Sequence, residues 1–257
     1  GTKFIEEQTR MFGTDHLYAS DTFIEMKPDN NDPAFLAAFG RAIYNGMSSA
    51  DPQAIWVLQD WFFAADEIGK MNYWLPAQSK ALFTSVPQGR LLVLEMGWYW
   101  PTKEAFYGQP WVLTYVHNFG GVVSLHGAVT LAGWQNIFTA LKHPDRGSQQ
   151  GIGTTDEGFD YNPHVIDFMT DSIWRTEAPD MERWYSDYLL RRYGQQDSAI
   201  DQAWKILRKT AYSVWRYDSM ICNLHGGAKA PGPSYDNKEL AGALDLYLQA
   251  AARVGDT

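Results

Sequence analysis

Up to about residue 162 the chain alternates short, continuously apolar runs with longer segments of helical periodicity. The runs at 54–58, 90–94 and 111–116 lack the apolar–polar alternation of a strand with one wet face. Strands of that kind are buried on both sides, which requires a parallel sheet covered by helices. Five strands are predicted, at 16–23, 54–58, 90–94, 111–116 and 151–155. Between them, helices are predicted at 3–11, from Asp32-Pro33 through Phe35, Leu36, Phe39 and Ile43, at 75–83 and at 133–141. Asp32 is placed to cap the second helix and Pro33 to occupy its first position. Such units build a doubly wound sheet or a closed barrel. A doubly wound nucleotide binder carries a glycine-rich turn after its first strand, and none is present. Polar or aromatic residues follow nearly every strand: Glu25, Asp60-Trp61, Glu95, His117-Asn118 and Glu157. Barrel enzymes place their chemistry at those strand ends. The expected fold is therefore α/β, part of a TIM-type (β/α)8 barrel.

From Pro163 onward the pattern is helical only. Helices are predicted at 165–174, 181–193, 200–214 and 237–254, with Asp180 and Asp236 as N-caps and Gly194 as a C-cap. Trp184 with Tyr188, Trp204 with Leu207, and Leu244 with Leu248 recur at helix-packing spacing. The expected division is a portion of a catalytic barrel at 1–162 and the start of an all-α domain at 163–257. Five strands do not close an eight-stranded barrel, and the chain begins and stops on helices. The expectation is a piece of a longer polypeptide, its amino- and carboxy-terminal parts supplied by the same protein or by a processed second chain. A homo-oligomer is compatible with this reading.

Composition narrows the partners. A formal charge of −9 argues against nucleic acid, whose binders neutralise phosphates with a basic surface. No apolar run is long enough for a membrane span. The single cysteine, Cys222, forms no disulfide within the chain, and no Asn-X-Ser/Thr acceptor occurs. Cys222 and His225 are close in sequence, but without a second cysteine or clustered histidines no metal site is expected, and no cofactor. Six histidines would be largely protonated at pH 5 if unperturbed, bringing the charge to roughly −3. The 11 Trp suit a bulky core, and also a sugar site, because the apolar face of a pyranose packs on a flat ring.

Retaining glycoside hydrolysis needs two carboxyl groups about 5 Å apart on one rim. Glu25 and Glu157 meet the requirement of position. Glu25 follows the first apolar strand in Asp21-Thr22-Phe23-Ile24-Glu25-Met26. Glu157 is flanked by small residues in Gly153-Thr154-Thr155-Asp156-Glu157-Gly158, which permit close backbone approach to a ligand. Glu95 competes for the second role, with Asp60 and Asp156 behind it. Trp61 ends a strand as a prospective pocket wall. His117 shares a strand exit with Asn118, as a structural hydrogen-bonder or a contact to a sugar hydroxyl.

The chain resembles the α-N-acetylglucosaminidases, whose animal members act in lysosomes on heparan sulfate. The resemblance runs from about Phe12 to Leu248. It is carried by Phe12-Gly13-Thr14-Asp15-His16-Leu17-Tyr18, Asp21-Thr22-Phe23 with Glu25-Met26, Val57-Leu58-Gln59 with Trp61, Gly89-Arg90-Leu91-Leu92-Val93-Leu94, His117-Asn118-Phe119-Gly120-Gly121 and Arg191-Arg192-Tyr193-Gly194. It implies a retaining exo-glycosidase that removes terminal non-reducing N-acetyl-α-glucosamine from a glycan, working in the lysosome or outside the cell. It implies further that Glu25 is the acid/base, that Glu157 is the nucleophile, and that Trp61 and His117 line the sugar pocket. One departure stands out. The family usually has Asn before the acid/base glutamate, and this chain has Ile24. That substitution keeps two alternatives open: a related glycosidase with another sugar preference, and a carbohydrate-binding homologue without turnover.

Overall fold

The computed structural model describes residues 1–117, 125–127, 131–155, 157, 162–213 and 235–254. Cys222, His225, Asp156, Gly158 and the segment 118–121 lie outside the described residues. The chain divides into two compact units, residues 1–114 with 140–153 and residues 115–139 with 154–257.

The first unit opens with helix α1 (Thr2–Phe12), then β1 (Leu17–Ala19) and α2 (Pro33–Ser48). Asp32 caps α2, its carboxylate accepting from the Ala34 N–H at 2.8 Å. There follow β2 (Ile55–Gln59), α3 (Trp61–Gly69), α4 (Pro76–Phe83), β3 (Leu91–Glu95), the short turn α5 (Glu104–Tyr107), β4 (Trp111–Tyr115) and β5 (Gln149–Thr154), with α6 (Leu131–Lys142), most of which belongs to the second unit, between the last two strands. The strands form one sheet in the order β1-β2-β3-β4-β5, with the first three pairings parallel. Sequential strand order with helical crossovers is the progression of a (β/α) barrel wall.

The two faces of the sheet differ. Trp56 and Leu58 on β2, Leu91 and Val93 on β3 and Trp111 on β4 are each 0% exposed. Under the helices they meet an aromatic cluster in which Phe62 lies 4.7 Å from Trp74 and Phe83 lies 5.6 Å from Phe106. Full burial of each such side chain is worth about 1.5–3 kcal/mol. The alternate residues, Ile55, Leu92, Val112 and Gln150, line an open cavity on the other face.

Four of the five predicted strands fall within two residues of their observed ends. The first is much shorter than 16–23. The chain leaves the sheet after Ala19, and Phe23 and Glu25 take left-handed backbone angles, φ 59° and 52°. The carboxylate of Asp21 then accepts the Gln59 N–H that a longer strand would have used. Helix α3 was not anticipated; its Trp-Phe-Phe start reads as a strand exit in sequence.

The second unit carries α7 (Pro163–Ser172), α8 (Met181–Tyr193), α9 (Ser198–Lys209), a 3-10 turn at Ala211–Ser213 and α10 (Asn237–Val254). Asp180 caps α8 through the Arg183 N–H, and Gly194 ends it at φ 74°. Asp236 accepts from the Lys238 N–H at the start of α10. The ring of Trp184 stacks on Tyr188 at 5.4 Å, and Trp204 meets Tyr188 edge-on at 5.3 Å. The helix expected at 200–214 stops at Lys209, because Thr210 takes a non-helical conformation.

Candidate active site

The exit of β1 builds the first half of the site. The indole N–H of Trp56 donates to the Ser20 carbonyl at 2.7 Å, and Ser20 N–H donates to the Val57 carbonyl. Asp21 ties the same loop to β2. Phe23 anchors its far side, with its ring 4.6 Å from Phe39 and 5.8 Å from Trp74. A loop held at both sides presents Glu25 to solvent. There the Trp61 indole N–H, from the first turn of α3, donates to Glu25 Oε1 at 3.1 Å. The structure thus brings together two of the residues singled out in the sequence. Ile24 is 40% exposed beside them.

Two of the three competing carboxylates are buried away from solvent. Asp60 and Glu95 are each 0% exposed and fall on the helix-covered face of the sheet. Asp60 Oδ1 accepts from the Met96 N–H at 2.9 Å, and Glu95 Oε1 accepts from the Tyr99 N–H at 2.7 Å.

Glu157 and His117 belong to the second unit. Glu157 is exposed, just beyond the end of β5. His117 is buried, and its Nε2 accepts from the Asn162 side-chain amide at 3.0 Å. That bond places the ring proton on Nδ1, which has no hydrogen-bond partner among the described residues. The ring stacks on His126 at 4.5 Å, and His126 Nε2 donates to the His117 carbonyl at 3.0 Å. Burial, with a smaller contribution from His126, lowers the His117 pKa to about 4. A third buried imidazole, His164, is lowered to about 3, chiefly by desolvation. The expectation that all six histidines charge near pH 5 therefore fails for these two.

Sequence reading missed Asn162 and His126. Asn162 precedes Pro163, a pattern that announces a helix start and conceals the contact to His117. Gly127 is the signal that was available. Its φ is +114°, and a Cβ there would lie 2.5 Å from Val165 and 2.9 Å from the His117 ring. Only glycine fits between that imidazole and α7. Among the described residues no group of three or more His, Cys, Asp or Glu is placed to hold a metal.

A parallel strand–helix wall with an indole-bound carboxylate at a strand exit has the organisation of a barrel enzyme, with its chemistry on the carboxy-terminal rim of the strands. Residues 1–176 match the family model for the alpha-N-acetylglucosaminidase (NAGLU) TIM-barrel domain, and residues 184–257 match that for its C-terminal domain. The chain belongs to the α-N-acetylglucosaminidase family, and its sheet is part of a TIM-type barrel. It is 34% identical over 218 residues to human alpha-N-acetylglucosaminidase, covering 83% of this chain and 28% of the human protein. Two Clostridium perfringens structures share the fold. A family 89 glycoside hydrolase in complex with 2-acetamido-1,2-dideoxynojirmycin matches with a TM-score of 0.74 at 24% identity. Another, in complex with its substrate GlcNAc-alpha-1,4-galactose, matches with a TM-score of 0.75 at 24% identity. Each match covers 97% of this chain and 28% of the solved one. The chain thus spans a little over a quarter of the length of these relatives.

Proposed function

We propose that this chain carries the catalytic rim of a retaining exo-α-N-acetylglucosaminidase, which removes terminal non-reducing N-acetyl-α-glucosamine from a glycan. The observation that carries the reading is the Trp61–Glu25 contact at the exit of β1, inside the span that matches the family's barrel. In this reading Glu25 protonates the glycosidic oxygen and then activates water, and Glu157 attacks the anomeric carbon. Retention sets the two carboxyl groups about 5–5.5 Å apart. Trp61 orients Glu25 and offers an apolar flank to the sugar, and His117 supports the pocket wall. The division at 162/163, where strands give way to helices, is proposed as the boundary between the barrel and the helical part. The remaining barrel strands come from other parts of the natural protein. Heparan sulfate is the natural glycan proposed, and the lysosome or the extracellular space the location. Among the described residues no helix is long and apolar enough to cross a membrane.

Ile24 favours a second reading, in which selectivity at the sugar 2-position differs from that of the relatives. An apolar side chain cannot offer the amide contact that the family resemblance places there. One experiment separates the readings: the full-length protein is assayed on chromogenic α-N-acetylglucosaminide and α-glucoside, with the anomer of the first-formed product followed by NMR. Preferential release of α-N-acetylglucosamine supports the first reading. Preference for the glucoside supports the second, and no turnover on either rejects both.

A further inference from the structure

Asp60 and Glu95 stand outside the proposed catalysis, and their placement calls for a physical account. The β2–β3 register pairs Leu58 with Val93 and Gln59 with Leu94, so Asp60 and Glu95 are the next partners. Paired residues on neighbouring strands lie about 4.8 Å apart and project from the same face. Both side chains are 0% exposed. Each has one bonded oxygen and one, Asp60 Oδ2 and Glu95 Oε2, with no partner among the described residues. Two ionised carboxylates here would be adjacent buried like charges with two acceptors lacking donors, an arrangement that costs several kinds of energy at once.

We propose that Asp60 and Glu95 hold one proton between them and act together as a clamp on the exit turns of β2 and β3. A single proton halves the buried charge and supplies the donor that the orphan oxygens lack. The remaining bonds show what is clamped. Asp60 takes the Met96 N–H and its own N–H donates to the Leu94 carbonyl. Glu95 takes the Tyr99 N–H, and the Thr114 hydroxyl donates to its carbonyl. Asp60 immediately precedes Trp61, so the clamp sits one peptide from the indole that holds Glu25.

The surrounding groups reinforce the sharing. From the turn after β3, the Tyr99 hydroxyl donates to Glu67 of α3 at 3.0 Å, and burial and its acidic neighbours keep that phenol protonated. Lys103 lies over the Phe63 ring and answers to Asp66 and Glu67. Burial first, and then Glu95, pushes Asp60 well above the usual carboxylate range, and burial raises Glu95 to about 7. Folded-state values above the unfolded ones mean that the folded state holds the extra proton. This stabilisation is fully present below about pH 4 and is lost as pH rises through about 7.

The existence of the pair does not depend on the glycosidase reading; only its effect on Trp61 and Glu25 does. The test uses the full-length protein with two readouts, infrared spectra and the pH dependence of unfolding. Infrared difference spectra of the wild type should show the carbonyl stretch of a protonated carboxyl group at pH 6 that fades by pH 9. Asp60→Asn should remove the coupled titration while keeping an acceptor for the Met96 N–H. Its unfolding midpoint should fall between pH 5 and pH 8 by no more than about half the wild-type fall. Glu95→Gln should behave alike, and serves if Asp60→Asn does not fold. If no such band is present in the wild type, or if both variants lose the same stability at pH 5 and pH 8, the proton-sharing pair is wrong. Glycosidase activity enters none of these outcomes, so a failure of the proposed function leaves the result readable.

Discussion

At the scale of single residues, the contact between the Trp61 indole and Glu25 Oε1 at 3.1 Å carries a specific expectation. A donor aimed at a carboxylate oxygen fixes its orientation, and a typical bond of this kind is worth about 0.5–1.5 kcal/mol. Trp61→Phe keeps an aromatic ring and removes the N–H donor with part of the indole. Turnover, measured as kcat/KM on a chromogenic α-N-acetylglucosaminide, should drop about 3- to 10-fold with an unchanged unfolding midpoint. No change would mean that the bond is incidental to catalysis. The carboxylates themselves should separate by leaving group. Glu157→Gln is nearly isosteric and cannot attack, so glycosyl-enzyme formation should vanish. Glu25→Gln should slow substrates with poor leaving groups by about 10²- to 10⁴-fold and activated ones far less, because only the former need the proton. Glu95→Gln is the comparator. That side chain is buried on the helix-covered face, so the substitution should move stability rather than the chemical step.

At the scale of elements, close packing of α2 on α4 offers a test of how tightly the barrel wall is built. A Cβ on Gly40 would lie 2.2 Å from Ser85 Oγ and 3.1 Å from Leu82 Cδ1. Ser85 is not free to yield, because its hydroxyl donates to the Leu82 carbonyl at 2.6 Å. Alanine gains about 1 kcal/mol of helix propensity over glycine, against about 1–3 kcal/mol for overpacking. Gly40→Ala should therefore lower stability by about 1 kcal/mol, and adding Ser85→Ala should recover most of it. Denaturant unfolding of both variants checks the pair, and a stabilised single variant would show the helices to be loosely packed. The same elements show what the sequence could disclose. The apolar runs revealed β2 to β4 because strands buried on both faces leave no other pattern. Caps at Asp32, Asp180 and Asp236 were readable because each is a local side-chain bond to its own helix. The short β1 was not readable, since it ends through the long-range bond from Gln59 to Asp21. The turn α5 was hidden too: Glu104, Ala105, Phe106 and Tyr107 all have positive φ, and a glycine appears only after them, at Gly108. At the site, Glu25 and Trp61 were legible from their place after strands. The burial of Asp60 and Glu95 was not, because a strand-end carboxylate looks the same in sequence whether it faces the cavity or the helices.

At the scale of the whole molecule, the buried carboxyl pair of the first unit and two buried imidazoles of the second respond to pH with opposite signs. In the first unit, Asp60 and Glu95 are raised, so their stabilisation is lost as pH climbs through about 7. In the second unit, His117 and His164 are lowered to about 4 and about 3. An imidazole buried neutral contributes stability that is present above its unfolded value of about 6.5 and lost as pH falls through the folded one. Each pH unit of displacement corresponds to about 1.4 kcal/mol, so both effects reach the size of a few kcal/mol. The carboxyl pair therefore adds most stability in acid and the two histidines near neutrality, and the windows of these four groups meet at about pH 5 to 6. Hydrogen exchange of the full-length protein at pH 5 and pH 8, corrected for intrinsic rates, resolves this by region. Peptides from β2, α3 and β3 should lose protection on going to pH 8, and peptides from α7 and α9 should keep or gain it. Within the second unit, His164→Gln should flatten the acid limb, since glutamine carries no proton to gain. If protection in both regions fell together at alkaline pH, the histidine cluster would contribute nothing to the acid limit. If both fell together in acid, the carboxyl pair would be ionised throughout and its clamp would not hold.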